Sequence, residues 1–143
     1  MTVARILAAK GRDVVTTQAY RTLREVVAIL AERRIGAIVI ADAERTVLGI
    51  VSERDIVRAL SESGAEALEE PVSRHMTSRV VTVHERTTID AVMDMMTTGR
   101  FRHAPVLEHG RLAGLVSIGD VVKHRMAEIE TDQRAMREYI AAG

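Results

Sequence analysis

The sequence predicts an α/β fold made of two βαββα repeats packed about a pseudo-twofold axis. Three observations point there. The chain repeats itself at a spacing of 66 residues. Each copy alternates short apolar runs with one apolar stripe at helical spacing. Both copies end on the motif Gly-x-Val-Ser-x-x-Asp.

Repetition comes first because it decides the whole fold. Val14-Val15-Thr16 answers to Val80-Val81-Thr82, and Arg34-Ile35-Gly36-Ala37 answers to Arg100-Phe101-Arg102-His103. Gly49 to Ser52 with Asp55 answers to Gly114 to Ser117 with Asp120, now 65 residues apart, so the second hairpin is one residue shorter. Val3 to Leu7 also matches Val72 to Met76.

Each copy opens with a predicted strand, over Val14–Thr16 and Val80–Val83. A helix follows, with Leu23, Val26, Val27 and Leu30 in the first copy and Ile89, Val92, Met93 and Met96 in the second. That i, i+3, i+4, i+7 spacing makes one buried stripe. Two strands come next, over Ala37–Ala41 and Val47–Val51, then over Ala104–Leu107 and Leu112–Val116. Their near-continuous apolar runs predict sheets covered on both faces. Pro105 lacks an N–H, which assigns it to an edge or a strand start. A second helix opens at Ser52 and at Ser117. Residues 1–64 are read as the first repeat with its N-terminal segment and 65–71 as a linker. Residues 72–130 are the second repeat and 131–143 a helical tail.

Composition narrows the function. Net charge is zero, which argues against nucleic acid and anionic membranes as partners. Aromatics are 2%, too few for a base-stacking platform. No cysteine is present, so thiolate chemistry and disulfides are excluded. The five histidines show no i, i+4 pairing on one helix, so no metal is expected. No Walker-type loop or nucleophile elbow occurs, and the chain is read as a non-enzyme. Charges interrupt every apolar stretch, and Met1 to Leu7 lacks the pattern of a signal peptide. The cytoplasm is the expected location.

The doubled Ser-x-x-Asp carries the chemistry. By itself it is a helix cap, with serine and carboxylate each bonding the other's amide. The same geometry also suits a ligand. A helix N-terminus favours a phosphate, and a carboxylate can accept both hydroxyls of a ribose. The run Arg100-Phe101-Arg102-His103-Ala104-Pro105 is either a solvated turn or a phosphate clamp. The first repeat offers only Arg34 before Ile35-Gly36-Ala37, so its phosphate affinity should differ.

These motifs resemble tandem CBS domains, the cystathionine-β-synthase-type repeats that occur in pairs. The two Gly-x-Val-Ser-x-x-Asp motifs, Arg102-His103-Ala104-Pro105-Val106 and Arg74-His75-Met76-Thr77 carry the resemblance. It implies a stand-alone regulatory module that forms a homodimer and acts on a separate, unidentified protein. The implied ligand is an adenine nucleotide, AMP first, with ADP, ATP or NAD(H) as further candidates. S-adenosylmethionine, or a dimer that binds no ligand, is the alternative.

The resemblance implies that Asp55 and Asp120 contact ribose, and that Ser52 and Ser117 contact phosphate or ribose oxygens. Arg102 and His103 would hold phosphate in the second site, and Thr16 or Thr17 and Thr82 would lie near the adenine. Arg34, Ile35, Gly36, Ala37, Arg54, Arg100, Ala104 and Gly119 complete the expected binding set. The first site lacks the basic pair of the second unless Arg34 or Arg54 replaces it.

Overall fold

A computed structural model describes residues 1–143. Helix α1 (Val3–Lys10) opens the chain, followed by strand β1 (Thr16–Thr17) and helix α2 (Leu23–Arg33). Strands β2 (Ala37–Ala41) and β3 (Val47–Ser52) form a hairpin that leads into α3 (Glu53–Ser63). Two short 3-10 turns, Gly64–Glu69 and Val72–Arg74, then carry the chain to the second repeat. There α4 (Ile89–Gly99), β4 (His103–Glu108), β5 (Arg111–Ser117) and α5 (Ile118–Ala142) follow.

The helices begin where capping chemistry permits. Thr22 and Thr88 side chains accept from the amides of Glu25 and Ala91 at 3.2 and 3.1 Å. The apolar stripes behave as spaced, with Leu23, Val26 and Leu30 buried on α2, and Ile89, Val92 and Met96 buried on α4. Every residue of β2 is buried, because this strand is central in the sheet order β1-β2-β3. In β5 buried positions instead alternate with half-buried ones.

The first expected strand is shorter than predicted and displaced, covering Thr16–Thr17 only. In the second repeat the strand expected over Val80–Val83 reduces to one bridge, Val83 to Val106. Pro105 explains the loss. In the first repeat the Val39 amide donates to the Val15 carbonyl at 3.3 Å. Pro105 occupies the position equivalent to Val39 and has no amide hydrogen to give.

The segments ahead of the two repeats are exchanged. Val3, Ile6 and Leu7 of α1 sit in one core with Val83, Ile89, Val92, Val106 and Val116 of the second repeat. Their amides follow them: Val3 donates to the Thr87 carbonyl and Ala4 to the Glu85 carbonyl, both at 2.9 Å. Conversely, Val72 lies in the core of Leu23, Val26, Ile38 and Val51. Its amide donates to the Arg21 carbonyl at 2.6 Å. The N-terminal segment grouped with residues 1–64 along the chain therefore packs with the second repeat. Each fully buried aliphatic side chain contributes about 1.5–3 kcal/mol.

Two glycines make room for this exchange. A Cβ on Gly49 would lie 2.5 Å from Met76 Sδ, and one on Gly114 would lie 2.7 Å from a Leu7 methyl. A smaller cluster of Val39, Ala41 and Leu112 joins the two sheets into one body. No helix is long and apolar enough to cross a membrane.

Candidate functional site

Both Ser-x-x-Asp motifs form complete capping boxes. The Ser52 amide donates to Asp55 Oδ2 at 2.9 Å, and the Asp55 amide donates to Ser52 Oγ at 3.4 Å. Ser117 and Asp120 repeat the pattern at 2.9 and 3.2 Å. Each serine ends a strand in extended conformation, and each aspartate sits on the first turn of the following helix.

The two carboxylates differ in what else holds them. Asp55 is 4% exposed. Its Oδ1 accepts from the Arg58 guanidinium at 2.6 Å and from Thr77 Oγ1 at 3.0 Å. Asp120 is half-buried, and its Oδ2 accepts from Lys10 Nζ at 2.7 Å. Burial alone would raise the Asp120 carboxyl. The Lys10 hydrogen bond and the Ser117 amide outweigh it and hold the group below the usual carboxylate range.

A cleft of about 450 Å³ opens beside Asp55 and is lined by both repeats. That volume falls in the range of small-ligand sites. Arg54, Arg58, Arg79, Arg100 and Arg102 line it, against the carboxylates of Glu53 and Asp55. The excess of guanidinium groups suits an anion, since their planar forks match phosphate oxygens. Ile50, Val80, Val81 and Phe101 add an apolar wall against which a flat ring can lie.

The pseudo-twofold explains how the basic run reaches this cleft. It brings the starts of β2 and β4 together at the centre of the molecule. A Cβ on Gly36 would lie 3.5 Å from His103 Cε1 and 3.7 Å from Glu53 Oε1. Arg54 Nη1 donates to the Arg100 carbonyl at 3.4 Å, tying the repeats across the cleft. Arg100 caps α4 with left-handed backbone at φ 55°, as Arg34 caps α2 at the same φ. His103 is half-buried. Burial first, then the Lys10 ammonium, push its imidazole below the ordinary histidine value, while Glu53 and Asp120 pull the other way.

Of the residues singled out from sequence, Gly36, Ser52, Arg54, Asp55, Arg100, Arg102 and His103 come together here. Arg102 and His103 thus share a cleft with the first Ser-x-x-Asp motif. They also stay beside the second motif, since His103 pairs with Ser117 across β4 and β5 and the Arg102 carbonyl accepts from the Ile118 amide at 2.8 Å, so facing elements of both repeats build the cleft. It also gives the first motif the basic residues its own repeat lacks. At the second motif Ser117 Oγ donates to Asp120 Oδ2, which also accepts from Lys10 Nζ.

Thr16, Thr17 and Thr82 do not line the cleft. Strand register is the reason. Thr16 and Thr17 pair with Val39 and Ile40, beyond Gly36 at the rim. Val83 pairs with Val106, which carries Thr82 inward past His103. Val80 and Val81 take the rim instead. Ala37 and Ala104 are buried in their strands, Arg34 and Ile35 lie outside the lining, and Gly119 sits on the outer face of α5.

Sequence reasoning missed Ile50, Glu53, Arg58, Thr77, Arg79, Val80, Val81, Gly99 and Phe101. A signal existed for Arg79. It follows Val72–Met76 as Lys10 follows Val3–Leu7, so the two cations are pseudo-equivalent.

Comparison with known proteins identifies the family and the fold. The family model of the CBS domain matches residues 8–62 and 72–127. A crystal structure of a CBS-domain containing protein from Agrobacterium tumefaciens superposes with a TM-score of 0.84 at 49% identity, covering 87% of this chain and 99% of that one. An uncharacterized 17.7 kDa protein from Acidianus ambivalens is 34% identical over 82% of this chain and 73% of its own length. A CBS domain protein from Pyrobaculum aerophilum, complexed with AMP, has a TM-score of 0.74 at 28% identity, covering 84% and 89% of the two chains. A CBS domain pair solved with 5'-methylthioadenosine and S-adenosyl-L-methionine has a TM-score of 0.76 at 25% identity, covering 86% and 98%. With both repeats matched and their folds superposed, this chain belongs to the CBS domain family, as a tandem pair.

Proposed function

We propose that the chain is a regulatory module that binds an adenine nucleotide, AMP first, in the cleft beside Asp55. One observation carries the reading: the Ser52–Asp55 motif of one repeat shares a cleft with Arg100, Arg102 and His103 of the other. The arginines would take the phosphate by charge-assisted hydrogen bonds. Ile50, Val80, Val81 and Phe101 would bracket the base. Asp55 would accept the ribose hydroxyls once Thr77 or Arg58 gives up its bond to Oδ1. The relatives solved with AMP and with S-adenosyl-L-methionine have an adenosine moiety in common. Phosphate-bearing ligands fit the cleft better than a sulfonium, because its arginines repel a cation.

In this reading the module senses energy charge or redox state and acts in the cytoplasm, as a homodimer, on a separate protein chain. Its role is binding, not turnover. A ligand changes the output only through unequal affinity for two states of the module. A second reading, a structural dimer without ligand, draws on the complete satisfaction of Asp55 by Ser52, Arg58 and Thr77.

Calorimetric titration of nucleotide-stripped protein with AMP, ADP, ATP, NAD, NADH and S-adenosylmethionine separates the readings, with GTP as control. Saturable binding of an adenine nucleotide is the expected result. No heat from any of them, in protein shown to be folded, favours the structural dimer.

A further inference from the structure

Helix α5 runs 25 residues, and its last turns leave the body of the protein. From residue 131 to the C-terminus every position is exposed. A helical extension of that length, packed on nothing, is marginal in water. Its sequence carries a second period. Val122, Met126, Ile129, Gln133, Met136 and Ile140 recur at alternating steps of four and three. This is the a/d seam of a coiled coil, and its apolar members are all among the exposed large side chains, from Val122 at 39% to Ile140 at 69%.

We propose that this seam binds the same seam of a second copy, as a parallel, in-register two-stranded coiled coil over residues 122–140. The flanking charges choose the partner and its direction. In the parallel register Arg125 faces Glu130 of the second copy, and Asp132 faces Arg137. Both pairs are attractive, and the twofold doubles them. The antiparallel alignment of the same seam opposes Glu130 to Glu130, Asp132 to Asp132 and Lys123 to Arg137, all repulsive. Gln133 takes an a position, where a single polar residue meeting its own copy sets register and favours two strands. Arg125 also bonds Asp90 at 3.1 Å and Glu128 at 3.2 Å within the chain, so the Asp132–Arg137 pair is the cleaner reporter. This inference rests on the homodimer reading above and stands apart from the ligand reading.

The absence of cysteine makes the test direct. Ile140→Cys in the full chain should form an interchain disulfide under mild oxidation, since residue 140 meets its own copy in the parallel register. In the antiparallel register residue 140 meets residue 122, about 27 Å along the helix. Arg137→Asp should weaken the dimer about tenfold by sedimentation equilibrium, and adding Asp132→Arg should restore it. A monomer at all concentrations, a dimer indifferent to Arg137→Asp, or failure of Ile140→Cys to cross-link within a stable dimer would each overturn the proposal. These substitutions lie on exposed positions, so folding of the body should be unaffected, which circular dichroism checks.

Discussion

Lys10 Nζ lies 2.7 Å from Asp120 Oδ2 and 3.0 Å from the Leu115 carbonyl oxygen. A lysine from the exchanged N-terminal segment thus occupies the carboxylate of the second Ser-x-x-Asp motif. Its counterpart Arg79 lines the open cleft beside Asp55. The two motifs are alike in sequence and differ in what holds the carboxylate, Lys10 at Asp120 against Arg58 and Thr77 at Asp55.

Lys10→Met should therefore change stoichiometry. Native mass spectrometry is expected to find one nucleotide per chain in the parent and a second, weaker one in the variant. The Asp120 carboxyl should also titrate higher, followed by carbon NMR. Its lowered folded-state value means that its stability contribution is present above the unfolded carboxylate value and is lost as pH falls through the folded one. Removing Lys10 narrows that acid window.

Asp55→Ala should cost more stability than Asp120→Ala. Either change removes a cap, worth about 1 kcal/mol. Asp55→Ala also leaves the Thr77 hydroxyl and Arg58 without their partner beside a buried site. Urea denaturation is expected to show the difference, and calorimetry of the folded variant should show at least about tenfold weaker nucleotide binding from loss of a charged hydrogen-bond acceptor.

Arg34 and Arg100 separate strain from binding. Both hold φ at 55°, where glycine escapes the Cβ clash. Arg34→Gly and Arg100→Gly should each stabilise the fold by about 0.5–1 kcal/mol in denaturation experiments. Only Arg100→Gly should also weaken nucleotide binding, by about tenfold, because only Arg100 lines the cleft.

His103 makes binding pH-dependent. Its depressed folded-state value means the unfolded chain holds more protons just below pH about 6.5. Stability of the free protein should fall as pH drops through that window toward the folded value. A bound phosphate favours the imidazolium, so nucleotide affinity should rise from pH 7.5 to 6 with proton uptake. Calorimetry in buffers of different ionisation heat checks this, and His103→Gln should abolish the uptake.

Much of this was legible in the residues. The repeat, the stripes on α2 and α4, the hairpins and both caps all follow from local rules that need no knowledge of the partner half. The rest depended on how the halves meet. Nothing in Arg102-His103 says that it will line a cleft with Asp55 of the other repeat, because that follows from the axis between repeats. Nothing in Lys10 announces a bond to a residue 110 positions away. The inward placement of Thr82 comes from strand register, and the missing strand beside it from Pro105, whose lost donor matters only opposite Val81.

The exchange of leading segments bears on ancestry. A single repeat cut from this chain would leave an open apolar trough where its neighbour's segment belongs, and would trail its own segment unburied. A one-repeat ancestor could fold only by lending that segment to a sister molecule. In these terms the chain is the covalent equivalent of a domain-swapped pair of single repeats. Cleaved between residues 64 and 71, the fragments should fold upon mixing and remain unfolded apart.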